Sequence, residues 1–305
     1  MKIGYPCINR SLKRRSRSTF RLKSYSAARL LETTARNLEG LRDILNYNRR
    51  QGLLFFRITS DLVPFASHPV CTVAWADVLA ESFAEAGGII RRQNMRICMH
   101  PDPFTLINSP RPEVWERSLA ELRYHVGVLN ALGLGTDAKI QLHVGGVYGD
   151  KRASLDRFVQ RYHQIPGDIR DHLVIENDHR SYTVADCLRL HESTGVPVVL
   201  DTLHHMVLHE GEPLAEGLRR AASTWDRGRD GLPIVDFSQQ LAGAPPGRHA
   251  EHIHPEGFRR FLKASRPVDC DVMLEIKDKE ASALEAVSVA TGDARLQVLP
   301  RDASV

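Results

Sequence analysis

Asp201-Thr202-Leu203-His204-His205 follows the apolar run Val196-Pro197-Val198-Val199-Leu200, so a carboxylate and an imidazole stand three residues apart where a buried strand ends. A branched apolar run bounded by polar residues marks a strand covered on both faces, and polar residues just beyond it sit at its C-terminal mouth. The arrangement recurs at Arg96-Ile-Cys-Met-His100, Lys139-Ile-Gln-Leu-His143, Leu173-Val-Ile-Glu176, Pro233-Ile-Val-Asp236 and Asp271-Val-Met-Leu-Glu275. One such ending is the pattern of a helix cap. Six strands ending in His, His, Glu, Asp, Asp and Glu imply a shared pocket. Carboxylate and imidazole without thiolate suit Zn²⁺, Mn²⁺ or Fe²⁺, and a Glu or Asp can bridge two ions.

Such a pocket needs a scaffold whose strand ends converge. Strand patterns fall near 2–6, 53–59, 95–100, 138–144, 172–177, 196–201, 233–238 and 270–276. Helix patterns fall at 26–50, 75–93, 111–132, 152–163, 182–194, 213–224, 255–264 and 279–290. This alternation predicts an α/β fold, a single (β/α)8 TIM barrel with the metal site at the C-terminal ends of the strands. Residues 1–290 are expected to form the catalytic domain and 291–305 a short frayed tail. Loops 60–74, 101–110 and 239–254 are long and rich in Pro, Gly or polar residues, as functional loops on a rigid scaffold are.

At 305 residues and 42% hydrophobic content the chain can bury a large core. No apolar stretch approaches the 18 or so residues of a membrane span, and the N-terminus lacks the apolar segment of a secretory signal. A soluble, cytoplasmic monomer is expected. The five cysteines, Cys7, Cys71, Cys98, Cys187 and Cys270, show no CxxC spacing, which argues against a disulfide framework or a thiolate zinc site. The net charge is only +4, yet residues 1–31 carry Lys2, Arg10, Lys13, Arg14, Arg15, Arg17, Arg21, Lys23 and Arg29 with no acid before Glu32. A block of positive charge attracts phosphates, or is simply a solvated arm. Its place after the first strand puts it at the pocket rim.

The chain resembles the UV damage endonuclease family, DNA-repair relatives of endonuclease IV. The resemblance rests on Gly4-Tyr-Pro-Cys-Ile-Asn9, Phe56-Arg57-Ile58, Pro64-Phe-Ala-Ser-His68-Pro69 and Arg117-Ser-Leu-Ala-Glu-Leu-Arg123-Tyr124. It continues through His143-Val-Gly-Gly-Val-Tyr-Gly149, Glu176-Asn-Asp178 and Asp201-Thr-Leu-His-His205. It implies an enzyme that nicks damaged double-stranded DNA immediately 5′ to a UV photoproduct (cyclobutane dimers, 6-4 photoproducts, abasic sites), leaving 3′-hydroxyl and 5′-phosphate ends. It further implies two or three divalent ions, with Mn²⁺ expected and Zn²⁺, Mg²⁺ or Co²⁺ as alternatives.

By position, His100, His143 and Glu176 would hold one ion, and Glu176, Asp201, Asp236 and Glu275 a second. His204 and His249 would belong to a third site, and His68 would lie beside the first. Glu176, His100, His143, Asp201 and Glu275 are the expected catalytic set. Tyr5 and Asn9 match lesion-side residues, Arg14, Arg15 and Arg17 would contact phosphates, and Lys277 would face the same way as Glu275. His205 is expected to pack or support its neighbour.

Two segments depart from the family pattern. Where members often carry a modifiable Lys and a His on the seventh strand, this chain has Ile234 and Asp236, which weakens a third metal. Where members read Pro-Gly-Gln-Tyr after the third strand, it reads Pro101-Asp102-Pro103-Phe104, leaving Phe104 as the wedge able to unstack bases. Two other functions fit part of the pattern: a two-metal sugar isomerase or epimerase on the same barrel, and a damage-binding protein without cleavage.

Overall fold

The computed structural model describes residues 1–297. Eight short parallel strands close into a barrel in chain order: β1 (Ile3–Pro6), β2 (Phe55–Ile58), β3 (Arg96–Met99), β4 (Lys139–His143), β5 (Leu173–Glu176), β6 (Val198–Asp201), β7 (Ile234–Phe237) and β8 (Asp271–Leu274). The expected α/β TIM barrel is the fold observed. Each strand falls inside its expected span, because fully buried runs are legible from composition alone. The expected helix 75–93 is two pieces, Trp75–Val78 and Ala80–Arg92, broken where Leu79 leaves the helical region at φ −107° and ψ 20°. None of the described helices is long and apolar enough to cross a membrane.

The helix Ala27–Gln51 shows how the outer layer is specified. Ser26 caps its first turn by accepting from the Arg29 amide, and Gly52 ends it at φ 70°, where a side chain would be strained. Between the caps, Leu30, Leu38, Leu41 and Leu45 are buried at helical spacing against the barrel. Gly40 in the same helix lets the basic segment lie down: a Cβ there would come within 2.3 Å of the Arg15 carbonyl oxygen. Asn37 adds reciprocal hydrogen bonds to the Ser18 backbone at 2.7 and 2.9 Å. The segment is therefore docked along the barrel and is not a free arm.

Inside the barrel the period of two sorts side chains into layers. Arg96, Lys139 and Asp271 form the lower layer, where buried Lys139 pairs with buried Asp230 at 2.6 Å. Phe55, Cys98, Val174, Val199, Ile234 and Met273 fill the middle as a separate apolar cluster. Two positions further along the same strands stand Arg57, His100, Glu176, Asp201, Asp236 and Glu275. Register seats His143 opposite Glu176 and Asp201 opposite Asp236. The alternation that buries the middle layer is what brings the polar layer to one mouth.

The expected frayed tail is corrected over the residues described. Arg295 donates to the carbonyls of Leu262, Ser265 and Val268, the Gln297 amide donates to Met1, and Leu296 packs on the core. Residues 298–305 of that expectation lie outside the described residues.

Behind β3, the helix Pro112–Ala131 braces the first strand-end histidine. Ser60 Oγ donates to the His100 carbonyl at 2.7 Å, and the buried His125 ring stands 3.4 Å from the same hydroxyl. Burial lowers the His125 pKa to about 4, so the ring is neutral in the fold. Below the usual pKa near 6.5 the unfolded chain takes up a proton that the folded protein refuses until about pH 4. Stability is therefore expected to fall by about 3 kcal/mol from this residue alone between those pH values. Urea unfolding of wild type and His125→Gln across pH 7 to 4 checks this: the variant should show the shallower dependence, and parallel curves would contradict the assignment.

Candidate active site

Glu176 closes β5 and is buried, and its Oε1 lies 3.0 Å from His100 Nε2 and 2.9 Å from His143 Nε2. Its other oxygen accepts a hydrogen bond from Gln141 Nε2, which also donates to Asp236 Oδ2 at 2.6 Å. Asp201 is held by reciprocal bonds with Asn177, and its Oδ1 accepts from the His204 amide at 2.7 Å, capping the short helix Thr202–Val207. That leaves Asp201 Oδ2 buried and without a hydrogen-bond partner. His204 Nδ1 sits 3.0 Å from the Asn177 carbonyl, which fixes the ring.

Three sets of side chains could each hold a cation: His100, His143 and Glu176; Glu176, Asp201 and His204; and Asp201, Asp236 and Glu275. The sets are chained, since Glu176 belongs to the first two and Asp201 to the last two. The first matches the expected first site. The expected second site is divided between two sets, and His204 groups with Glu176 and Asp201. His249 instead places Nδ1 2.6 Å from the Glu275 carbonyl, 6.4 Å from His204 between ring centres. His68 is not brought to these sets either. A turn ties its Nδ1 to the Val70 amide, and it faces a separate cavity of about 370 Å³ beside Asp102, Phe104 and Arg117.

The electrostatics show what the mouth lacks. Burial, reinforced by Glu275 and Glu176, pushes the Asp201 carboxyl up to about 8. Asp236 is raised by burial against the pull of Arg57. Burial would lower His143, but Glu176 beside it outweighs this and lifts the ring to about 9. Burial would likewise raise Glu275, yet Arg57 holds it down to about 2. The buried Arg57 guanidinium donates to Asp236 at 2.8 Å, to Gln141 at 3.0 Å and to Glu275. One fixed cation thus faces Asp236 and Glu275, while among the described residues the titratable bases at the Glu176–Asp201 end are imidazoles. Unpartnered Asp201 Oδ2 and Asp236 Oδ1, both buried, fit divalent ions of the oxygen- and nitrogen-binding kind. Cys98 below them is no ligand, since burial pushes its thiol up to about 12.

Several expected contacts are corrected. Tyr5 is 0% exposed, with its hydroxyl bonded to Asn48 at 2.7 Å and to Asn9 at 2.9 Å, and Asn9 is 5% exposed. Neither presents its side chain to a duplex; they knit β1 to the helix Ala27–Gln51. Lys277 ends on Glu251 at 2.6 Å, an ion pair at the surface. Arg14 pairs with Asp43 at 3.3 Å on the surface, and Arg14, Arg15 and Arg17 are all exposed. Phe104 is 78% exposed.

Arg57, Gln141 and His179 also stand at the mouth, outside the expected set. Arg57 and Gln141 share the inward phase of their strands with known site positions, a signal the period of two carries. The His179 ring, three residues past Glu176, lies tilted 5.1 Å from that of His204 and lines a cavity of about 550 Å³ with His100, His143 and His204.

The sequence profile of the family described as UV-endonuclease UvdE matches residues 1–296. The chain belongs to that family. The UV DNA damage endonuclease of Clostridium perfringens is 32% identical over 289 residues, covering 94% of this chain and 70% of the relative. The crystal structure of SacUVDE is 41% identical, with a TM-score of 0.92, over 97% of this chain and 100% of that one. The D-psicose 3-epimerase of Clostridium cellulolyticum H10 has a TM-score of 0.57 at 12% identity over 82% of this chain and 92% of its own, a likeness of fold alone. The barrel is thus shared with a sugar enzyme, and family membership separates the readings.

Arg57 should be the stability pivot of the site. Replacing it by Met leaves Asp236 and Glu275 without their counter-charge, and removal of one partner from a buried pair costs about 3–5 kcal/mol. Denaturant titration at neutral pH measures this directly, and a loss under about 1 kcal/mol would show that the guanidinium is not the counter-charge.

Proposed function

We propose that this chain is a metal-dependent endonuclease that cuts double-stranded DNA on the 5′ side of UV photoproducts, cyclobutane dimers and 6-4 photoproducts, leaving 3′-hydroxyl and 5′-phosphate ends. The observation that carries the proposal is the chaining of the ligand sets through Glu176 and Asp201, which suits adjacent ions sharing a carboxylate. Divalent ions, Mn²⁺ in this reading, when bound supply hydroxide at neutral pH and neutralise charge on the phosphoryl and leaving oxygens. His100, His143 and Glu176 would hold one ion and Glu176, Asp201 and His204 another, while Arg57 already faces Asp236 and Glu275.

The chain's own residues supply position. Ser60 fixes His100 through its carbonyl, Gln141 orients Glu176 and Asp236, and Asn177 orients Asp201 and His204, so the donors are in place before substrate arrives. Pre-set donors need no reorganisation during the reaction. Exposed Arg15 and Arg17 on the docked basic segment are suited to DNA phosphates; Phe104 projects from the loop after His100 and is suited to wedge between bases. The resemblance to UV DNA damage endonucleases over nearly the whole chain supports damaged DNA as the substrate.

The test is incision of a duplex oligonucleotide carrying one defined photoproduct, with Mn²⁺ and with chelator. Wild type should cut once, 5′ to the lesion, only with the metal. Glu176→Ala should remain folded and lose about a thousandfold or more of that rate, the scale of removing a preorganised charge-stabilising group. A Glu176→Ala protein that cuts at near wild-type rate would refute the shared carboxylate. Lesion binding with no cutting in any divalent metal would instead make the chain a damage-binding protein.

A further inference from the structure

Beside Glu275 the mouth opens into a cavity of about 500 Å³ whose wall includes Cys7, Arg57, His100, His143, Glu275 and Lys279. Two of these hold backbone conformations that side chains avoid: Cys7 at φ 70° and Lys279 at φ 60°. Lys279 is the more costly case. With ψ −115° it occupies the region of the first central residue of a type II′ turn, which glycine dominates. Its surroundings impose the conformation. Its amide donates to the Ile276 carbonyl, its carbonyl accepts from Ala283, and the next residue, buried Glu280, is fixed by the amides of Arg10 and Ser11. Glycine would make the same turn without strain, so it is the lysine side chain that the site retains at the expense of stability.

The ammonium at the end of that side chain is partly buried and lies nearest in charge to Cys7, Glu275, Arg57 and Arg10. Burial lowers its pKa below that of an ordinary lysine, opposed by Cys7 and Glu275. Four other lysines find partners: Lys2 reaches Asn94, Lys139 Asp230, Lys151 Asp186 and Lys277 Glu251. Among the described residues the Lys279 ammonium has no hydrogen-bond or ion-pair partner, its bonds being those of the backbone. Arg57 is committed to Asp236, Glu275 and Gln141, and Arg248 stands at the exposed rim. Lys279 is thus a partly buried cation, aimed into the cavity that contains the candidate metal ligands, with its donors unused.

We propose that Lys279 grips a non-bridging oxygen of the phosphodiester that is cut, and that its strained turn exists to aim the ammonium there. The proposal rests on the endonuclease reading above. Lys279 remains protonated throughout and offsets negative charge on the phosphoryl group as attack proceeds, so no proton need be exchanged with it.

Lys279→Gly and Lys279→Ala test this on a duplex oligonucleotide with one photoproduct. Three readouts are needed: melting temperature, single-turnover incision in Mn²⁺, and the salt dependence of duplex binding without divalent metal. Lys279→Gly should melt at or above wild type, incise about a hundredfold or more slowly, and lose about one unit of the log–log salt slope, the signature of one phosphate contact. Lys279→Ala keeps the strain and should lose the same activity. Wild-type incision and slope in the glycine variant would overturn the proposal, and so would a slope unchanged in both variants. If wild type itself cuts nothing in any divalent metal, the endonuclease reading fails, and the binding slope alone still decides whether Lys279 holds a phosphate.

Discussion

Four carboxylates, Glu176, Asp201, Asp236 and Glu275, are crowded at one end of a barrel that shields them from water, and the rest of the structure follows from keeping them there. Ionised carboxylates in such a place repel one another and forfeit hydration, so each must be paired, bonded or protonated. Arg57 resolves one half of the problem by facing Asp236 and Glu275. The other half is left to imidazoles, to the Gln141 and Asn177 side chains and, in the reading above, to divalent ions. A raised Asp201 beside a depressed Glu275 is this imbalance expressed as protonation.

The scaffold that tolerates this is ordinary in its lower layers. An apolar girdle from Phe55 to Met273 separates the polar mouth from a second charged layer of Arg96, Lys139, Asp230 and Asp271, where each charge meets an opposite one. The lower end is balanced and the upper end is not. That contrast locates function without reference to any relative, because an unbalanced buried cluster is retained at a cost in stability. Gly4, whose Cβ would fall 1.7 Å from the Phe55 carbonyl oxygen, allows the close approach of β1 to β2 that brings Arg57 under the mouth.

The strands, the barrel and the ring of candidate ligands are legible because each depends on short-range pattern: a buried run, a period of two and a polar terminus. What escaped depends on long-range geometry. Arg57 reads as a charge in a strand, and only closure of the barrel places it against Asp236, 179 residues away. His249 rests its Nδ1 on the Glu275 carbonyl because the loop folds by its own Gln240–His249 bridge. Tyr5 and Asn9 have the residue types of a lesion probe, yet Asn48 draws them inward. Lys277 and Lys279 are equivalent by alternation, and the left-handed backbone at 279 decides which of them the site keeps free.

The central claim is that Glu176 is shared by two neighbouring cations. Anomalous scattering from a crystal of the Mn²⁺-loaded protein, collected at the manganese edge, tests it most directly. The account predicts one peak among His100, His143 and Glu176 and a second among Glu176, Asp201 and His204. A single peak, or density that Glu176 does not touch, would contradict it.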